Sequence, residues 1–260
     1  MDKKMLFVID IGNTNIVAAF MESASEVKHS GRMATVKTAK SSEIAPGFED
    51  IIRTGEINKD EISGVIISSV VPEITDEAKE AARLVTGLEV LVLTYKTETG
   101  VVIGNEVPEN TGADLIAAAA GAAKEYDGPI AIFDLGTATT LTVVTADRIF
   151  LGGLIIPGVR ISLDAMVGKA SQLPAFDIAA PEHFIGRNTI ESMQSGIVYG
   201  NAAMMDALID RTEDDLGQKV TALVTGGLGG LIYPYCRRKM IYEPDLVLKG
   251  LWYIYEMNRA

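Results

Sequence analysis

Two segments of this chain repeat one pattern, and they divide it nearly in half. In each, an apolar run ends on Asp, passes a Gly and resumes as a second apolar run. Met5–Ile9 leads into Asp10-Ile11-Gly12-Asn13-Thr14-Asn15 and on to Ile16–Phe20; Pro129–Phe133 leads into Asp134-Leu135-Gly136-Thr137-Ala138-Thr139-Thr140 and on to Leu141–Thr145. The two Asp lie 124 residues apart in a chain of 260. Each segment reads as a strand, a glycine turn and a returning strand. Their repetition predicts an internal duplication of architecture. Two such halves would set the two turns on opposite walls of one cleft.

The rest of the pattern supports an α/β chain. Strands are predicted at Gly64–Val71, Glu89–Leu93, Phe150–Ile156 and Lys219–Thr225. Helices are predicted at Ser42–Arg53, Glu77–Thr86, Asn110–Glu125, Gly158–Val167, Thr189–Glu213 and Leu246–Met257. Strands alternating with helices imply mixed sheets flanked by helices. The expected halves are residues 1–112 and 113–260.

Composition removes several classes of function. The chain has 23 Lys+Arg against 35 Asp+Glu, a net charge of −12. It therefore lacks the basic balance of a nucleic-acid binder. It has one Cys and two His, Cys236, His29 and His183, with no zinc-ligand spacing. The first apolar stretch is interrupted by Asp10, which argues against a leader or a membrane span. The expected setting is cytoplasmic, with no nucleic acid and no membrane as partner. Chemistry then falls to carboxylates, hydroxyls and backbone.

A glycine turn bearing Thr and Asn presents N–H groups that can cradle phosphate oxygens. An Asp beside it repels phosphate but holds a cation that phosphate also binds. An ordinary hairpin with a turn-capping Asp has the same local signature; the repetition is what favours a metal–nucleotide site. Thr111-Gly112-Ala113-Asp114-Leu115 places an Asp at a helix start, either as a plain N-terminal acid or as a general base toward an alcohol. Gly186-Arg187-Asn188-Thr189 reads as a capped helix start, with Asn188 or Thr189 as the cap. The segment Gly226-Gly227-Leu228-Gly229-Gly230 follows a strand but lacks the spacing of a dinucleotide fingerprint.

Taken together these segments resemble the type III pantothenate kinases over nearly the whole chain. The resemblance is carried by the segments Val8–Ile16, Ile67–Pro72, Gly112–Asp114, Phe133–Thr140, Gly152–Gly158, Gly186–Gln194, Thr225–Gly227 and Pro244–Leu251. It implies the acetate/sugar kinase–heat-shock–actin fold, α/β with two duplicated ribonuclease-H-like (actin-like ATPase) halves. It implies ATP-dependent phosphorylation of pantothenate, the first step of coenzyme A synthesis, by a homodimer requiring Mg²⁺ and K⁺ or NH₄⁺. On that resemblance Asp10, Ile11, Gly12, Asn13, Thr14, Asn15, Ile16 and Val17 bind ATP, with Thr137 a further ATP contact. Asp134 ligates the monovalent cation, and Asp10 holds Mg²⁺ through water. Gly112, Ala113, Asp114, Leu115 and Thr189 contact pantothenate, with Asp114 as catalytic proton acceptor and Thr189 reaching across the dimer.

Two positions depart from the family's usual pattern. Leu115 stands where an Arg commonly follows the Asp, and Asn105 stands where a Tyr commonly precedes it by nine residues. Losing the Arg removes a fixed cation that could engage a substrate carboxylate. These departures keep open a nucleotide-binding regulatory relative without catalysis, or a kinase for a related alcohol.

Overall fold

A computed structural model describes residues 5–170 and 173–259. The chain packs as two units. The described residues up to Glu125 join those from Leu246 onward in the first unit, and Tyr126–Asp245 form the second. The packing boundary thus falls after residue 125 rather than after 112. The last helix returns to the first unit because it pairs there with the helix that begins at Ala113.

In the first unit, β1 (Met5–Ile11) lies antiparallel to β2 (Asn15–Ser23), which pairs in turn with β3 (Glu26–Ala34). On its other side β1 runs parallel to β4 (Ile62–Ser69), followed by β5 (Val90–Val92). The sheet order is β3-β2-β1-β4-β5. β1 is central and its sequence shows it: Met5, Leu6, Phe7, Val8 and Ile9 are all buried, which only a strand covered on both faces permits. Phe7 stacks on Phe20 at 4.5 Å between ring centroids and meets Phe48 edge-on at 5.5 Å. Each such pair contributes about 0.5–1.5 kcal/mol beyond its buried area. Helices α1 (Ser41–Thr54) and α2 (Pro72–Thr86) cover this face through Ile44, Phe48, Ile51, Ile74 and Ala78.

Pro72 lies three residues after the end of β4. It opens α2 at the first helical position, where its missing N–H costs nothing. The remaining elements of the unit are a two-residue strand, β6 (Val102–Ile103), and two helices. α3 (Ala113–Glu125) is a run of Ala, and α7 (Leu246–Asn258) packs against it. The contact is close because both sides are small: a side chain on Gly250 would overlap the carbonyl of Ala117.

The second unit repeats the plan. Its central strand β7 (Ile130–Leu135) is antiparallel to β8 (Ala138–Val144), which pairs with β9 (Ile149–Pro157). On the other side β7 is parallel to β10 (Thr221–Thr225), followed by β11 (Ile241–Tyr242). Helix α4 (Val159–Lys169), the long α5 (Thr189–Leu216) and the four-residue α6 (Gly229–Ile232) complete it, with Leu163, Met193, Ile197, Met205 and Ile209 facing the sheet. Among the described residues no helix is long and apolar enough to cross a membrane.

Candidate active site

The first unit brings three of the singled-out segments to one end of its sheet. Asp10 and Ile11 are the last residues of β1 rather than turn residues. The turn is confined to Gly12-Asn13-Thr14, and Asn15, Ile16 and Val17 already belong to β2. The antiparallel ladder closes this far because Ile11 pairs with Ile16, and the Gly12 N–H donates to the Asn15 carbonyl at 2.9 Å. A tie from β3 holds the turn from behind. The Thr35 hydroxyl donates to the Gly12 carbonyl at 2.7 Å, and its N–H donates to the Thr14 carbonyl at 3.0 Å. Thr35 was not singled out in the sequence, because the strand that delivers it has no apolar run.

β4 ends beside the same turn. Ser68 lies opposite Asp10 in register, and the Val70 N–H donates to the Ile11 carbonyl at 3.0 Å. The Ser68 hydroxyl is buried without a hydrogen-bond partner. Next to Val70 lies the start of α3. A side chain on Gly112 would come within 2.5 Å of the Asp114 carboxylate and 3.5 Å of Val70, so only glycine lets the acid fold back over the helix end.

Asp114 accepts the Leu115 N–H at 2.7 Å. Its helix position suggests a carboxylate favoured in its ionised form. The structure gives the opposite balance. Burial dominates and pushes its pKa above the usual 3.8, although the N–H groups of Leu115 and Asp114 pull it down. A desolvated carboxylate without a guanidinium beside it is a stronger base than a free one. The position after it is Leu115, whose N–H serves the acid and whose side chain offers no charge. Asn105 lies just upstream and ties the loop by donating from Nδ2 to the Thr111 hydroxyl at 2.7 Å. Its Oδ1 is buried and unpartnered.

The second unit builds a matching end. Asp134 is the penultimate residue of β7, with Thr140 opposite on β8 and Thr225 opposite on β10. The Thr140 hydroxyl is buried without a partner. Gly226 has φ +86°, and a side chain there would lie 2.5 Å from the Leu135 N atom; the backbone after β10 presses onto the Asp134 strand end. Carboxylate and hydroxyl oxygens without nitrogen or sulfur suit a hard cation, so these residues fit one. Thr137 lies exposed in the turn between β7 and β8. Thr189 is the first residue of α5, and Asn188 is the cap, its Oδ1 accepting the Glu191 N–H at 2.9 Å. Thr189 also borders a cavity of about 660 Å³ shared with Ser162, Met166, Met193 and Asn201.

The sequence profile of the type III pantothenate kinases matches residues 6–211. The chain belongs to that family. It is 37% identical over 255 residues to the type III pantothenate kinase of Exiguobacterium sibiricum, covering 98% of this chain and 100% of that one. It is 38% identical over 256 residues to that of a Roseiflexus species, with the same coverage. Solved structures show the fold. The activator of 2-hydroxyisocaproyl-CoA dehydratase from Clostridium difficile, with bound ADPNP, superposes with a TM-score of 0.58 at 13% identity. It covers 96% of this chain and 93% of that one. A ROK family glucokinase from Streptomyces griseus, in complex with glucose and AMPPNP, gives 0.52 at 13% identity, over 97% and 98% of the two chains. The fold is thus that of the actin-like ATPases and sugar kinases, with mixed sheets flanked by helices.

Proposed function

We propose that this chain transfers the γ-phosphoryl group of ATP to the primary hydroxyl of pantothenate, giving 4′-phosphopantothenate for coenzyme A synthesis. The carrying observation is Asp114. In a member of the family, the acid at the Gly-Ala-Asp segment is desolvated, and the position after it is Leu115 rather than a cation. Asp114 accepts the hydroxyl proton as the new P–O bond forms and the bond to ADP breaks, and the Leu115 N–H holds the carboxylate in place before the transfer. The attack is in line, and positioning supplies most of the acceleration.

ATP phosphates are assigned to the N–H groups and side chains of Asp10–Val17, with Thr137 as a further contact. Gly112, Ala113 and Leu115 line pantothenate with Asp114, and Thr189 completes its contacts from the partner subunit of a homodimer. Asp134 is assigned to K⁺ or NH₄⁺, with the unpartnered Thr140 hydroxyl within reach on the neighbouring strand. Asp10 is assigned to Mg²⁺ through water. The cations, when bound, neutralise phosphate charge that an acidic chain would otherwise repel. The setting is the cytoplasm, where ATP is available.

Purified protein with ATP, Mg²⁺ and pantothenate tests the assignment, with K⁺ compared against Na⁺. Phosphopantothenate should form with K⁺ and much less with Na⁺. ATP binding without product under K⁺ would instead identify a regulatory relative, the reading that Leu115 and Asn105 favour.

A further inference from the structure

The start of α5 holds a buried acid that the reaction does not use. Glu191 is only 8% exposed. Its Oε2 accepts the Arg187 N–H at 2.7 Å. Its Oε1 accepts the His183 N–H at 3.1 Å and lies 2.6 Å from His183 Nδ1. A second tie, from the Ser195 hydroxyl to the Phe184 carbonyl, secures the same loop one turn further along the helix. One carboxylate thus gathers both ends of residues 183–187, and Thr189 follows two residues later.

We propose that Glu191 is a positioning residue for pantothenate: it clasps the 183–187 loop and thereby fixes where the Thr189 hydroxyl is presented. The proposal rests on the reading of Thr189 as a pantothenate contact. Three features support it. The acceptors are matched to donors on both oxygens, so the clasp needs a carboxylate rather than an amide. The Arg187 N–H, and after it the His183 ring, hold the Glu191 carboxyl below the usual carboxylate range, so it stays ionised. Asn188 caps the helix through the Glu191 N–H, so backbone and side chain of one residue fix both the helix start and the loop before it.

The same atoms invite another reading. Glu182, His183 and Glu191 can each offer one ligand atom, all within 4.8 Å of one another. A divalent cation there would compete with three N–H donors already bonded to Glu191, so the clasp is the better use of these atoms.

The test is steady-state kinetics of Glu191→Gln and Thr189→Val, with hydrogen exchange of the loop amides and a thermal melt. Glutamine keeps the shape but turns an N–H toward an N–H donor. The expected result for Glu191→Gln is a pantothenate KM raised about tenfold. Its kcat and ATP KM should change little, and the His183 and Arg187 amides should exchange faster. Thr189→Val should raise the pantothenate KM as well, and the double variant should add little to either. If Thr189→Val leaves that KM unchanged, the reading of Thr189 fails and takes the clasp's purpose with it. If Thr189→Val raises it while Glu191→Gln does not, the clasp alone is wrong. A Glu191→Gln variant that loses kcat, both KM values and melting temperature together would reduce the residue to a structural role. Micromolar binding of Co²⁺ to the wild type, lost in His183→Ala, would replace the clasp by a metal site.

Discussion

The two units repeat a strand order but put different chemistry at matching positions. In both, an Asp sits one residue before the end of the central strand. Across the sheet from Asp10 stand Val17 and Ser68; across from Asp134 stand Thr140 and Thr225. The first turn is held from behind by Thr35, a side chain. The second is pressed by the backbone at Gly226, where no side chain fits. Duplication supplied the frame, and the polar groups on it were set separately in each copy. The comparison also extends to charge. In the first unit the pairs Arg83–Glu80 and Lys37–Glu73 are exposed and contribute little. The second unit buries Glu213 against Arg238 at 2.6 Å and Lys219 at 2.6 Å.

The largest effect should separate the acid of α3 from those of the strands. Asp114→Asn should lower kcat by about a hundredfold or more while ATP affinity stays near wild type. Near-normal turnover would remove it as the base. The raised pKa of Asp114 also places the acid limb of kcat/KM above pH 3.8, since the base must be ionised to act; a limb at or below that value would argue against it. Next comes Glu213→Gln, expected to cost about 2 kcal/mol and lower the melting temperature by roughly 5 °C. Glu80→Gln should change nothing measurable. Arg238 first, then Lys219, hold the Glu213 pKa at about 2 rather than 4.5. A depressed carboxyl stabilises the fold above its unfolded value. That contribution should be complete above about pH 4.5 and fade as pH falls toward 2, and a wild-type–variant difference independent of pH would contradict it.

The two turns should then respond unequally to one methyl group. Gly226→Ala should destabilise by about 2 kcal/mol, since φ +86° and the Leu135 backbone both oppose it. Gly12→Ala should cost less than about 1 kcal/mol, because among the described residues the near neighbour of an added methyl is the Asn15 carbonyl at 3.3 Å. Equal melting temperatures would erase the distinction. The smallest expected change is Leu115→Arg, which should lower the pantothenate KM by a few-fold if the added cation meets the substrate carboxylate.

Apolar patterning made much of this frame legible in the sequence. β1, β4, β7 and β10 announce themselves because central strands are apolar on both faces. β3 does not. Glu26–Ala34 alternates partly buried and exposed positions with Lys28, His29 and Arg32 among them, and nothing marks it as a strand. Thr35 was lost with it. The glycine turns and Asp114 were readable as residue types, but their states were not. That Asp114 is desolvated depends on surroundings that only folding assembles around it. The unpartnered hydroxyls of Ser68 and Thr140 are likewise products of register, which no local pattern encodes. Glu191 is by type an ordinary first-turn acid, and its partners lie in a loop without periodicity.

The pairing of α3 with α7 has a consequence for how the chain is made. All of Tyr126–Asp245 is synthesised before the helix that completes the first unit. As the polypeptide leaves the ribosome, the first sheet therefore waits with the Ala-rich face of α3 uncovered, while the second unit has every element it needs. The second unit should reach its native state first during translation. A truncation at Asp245 would leave the Ala-rich face of α3 without its partner helix.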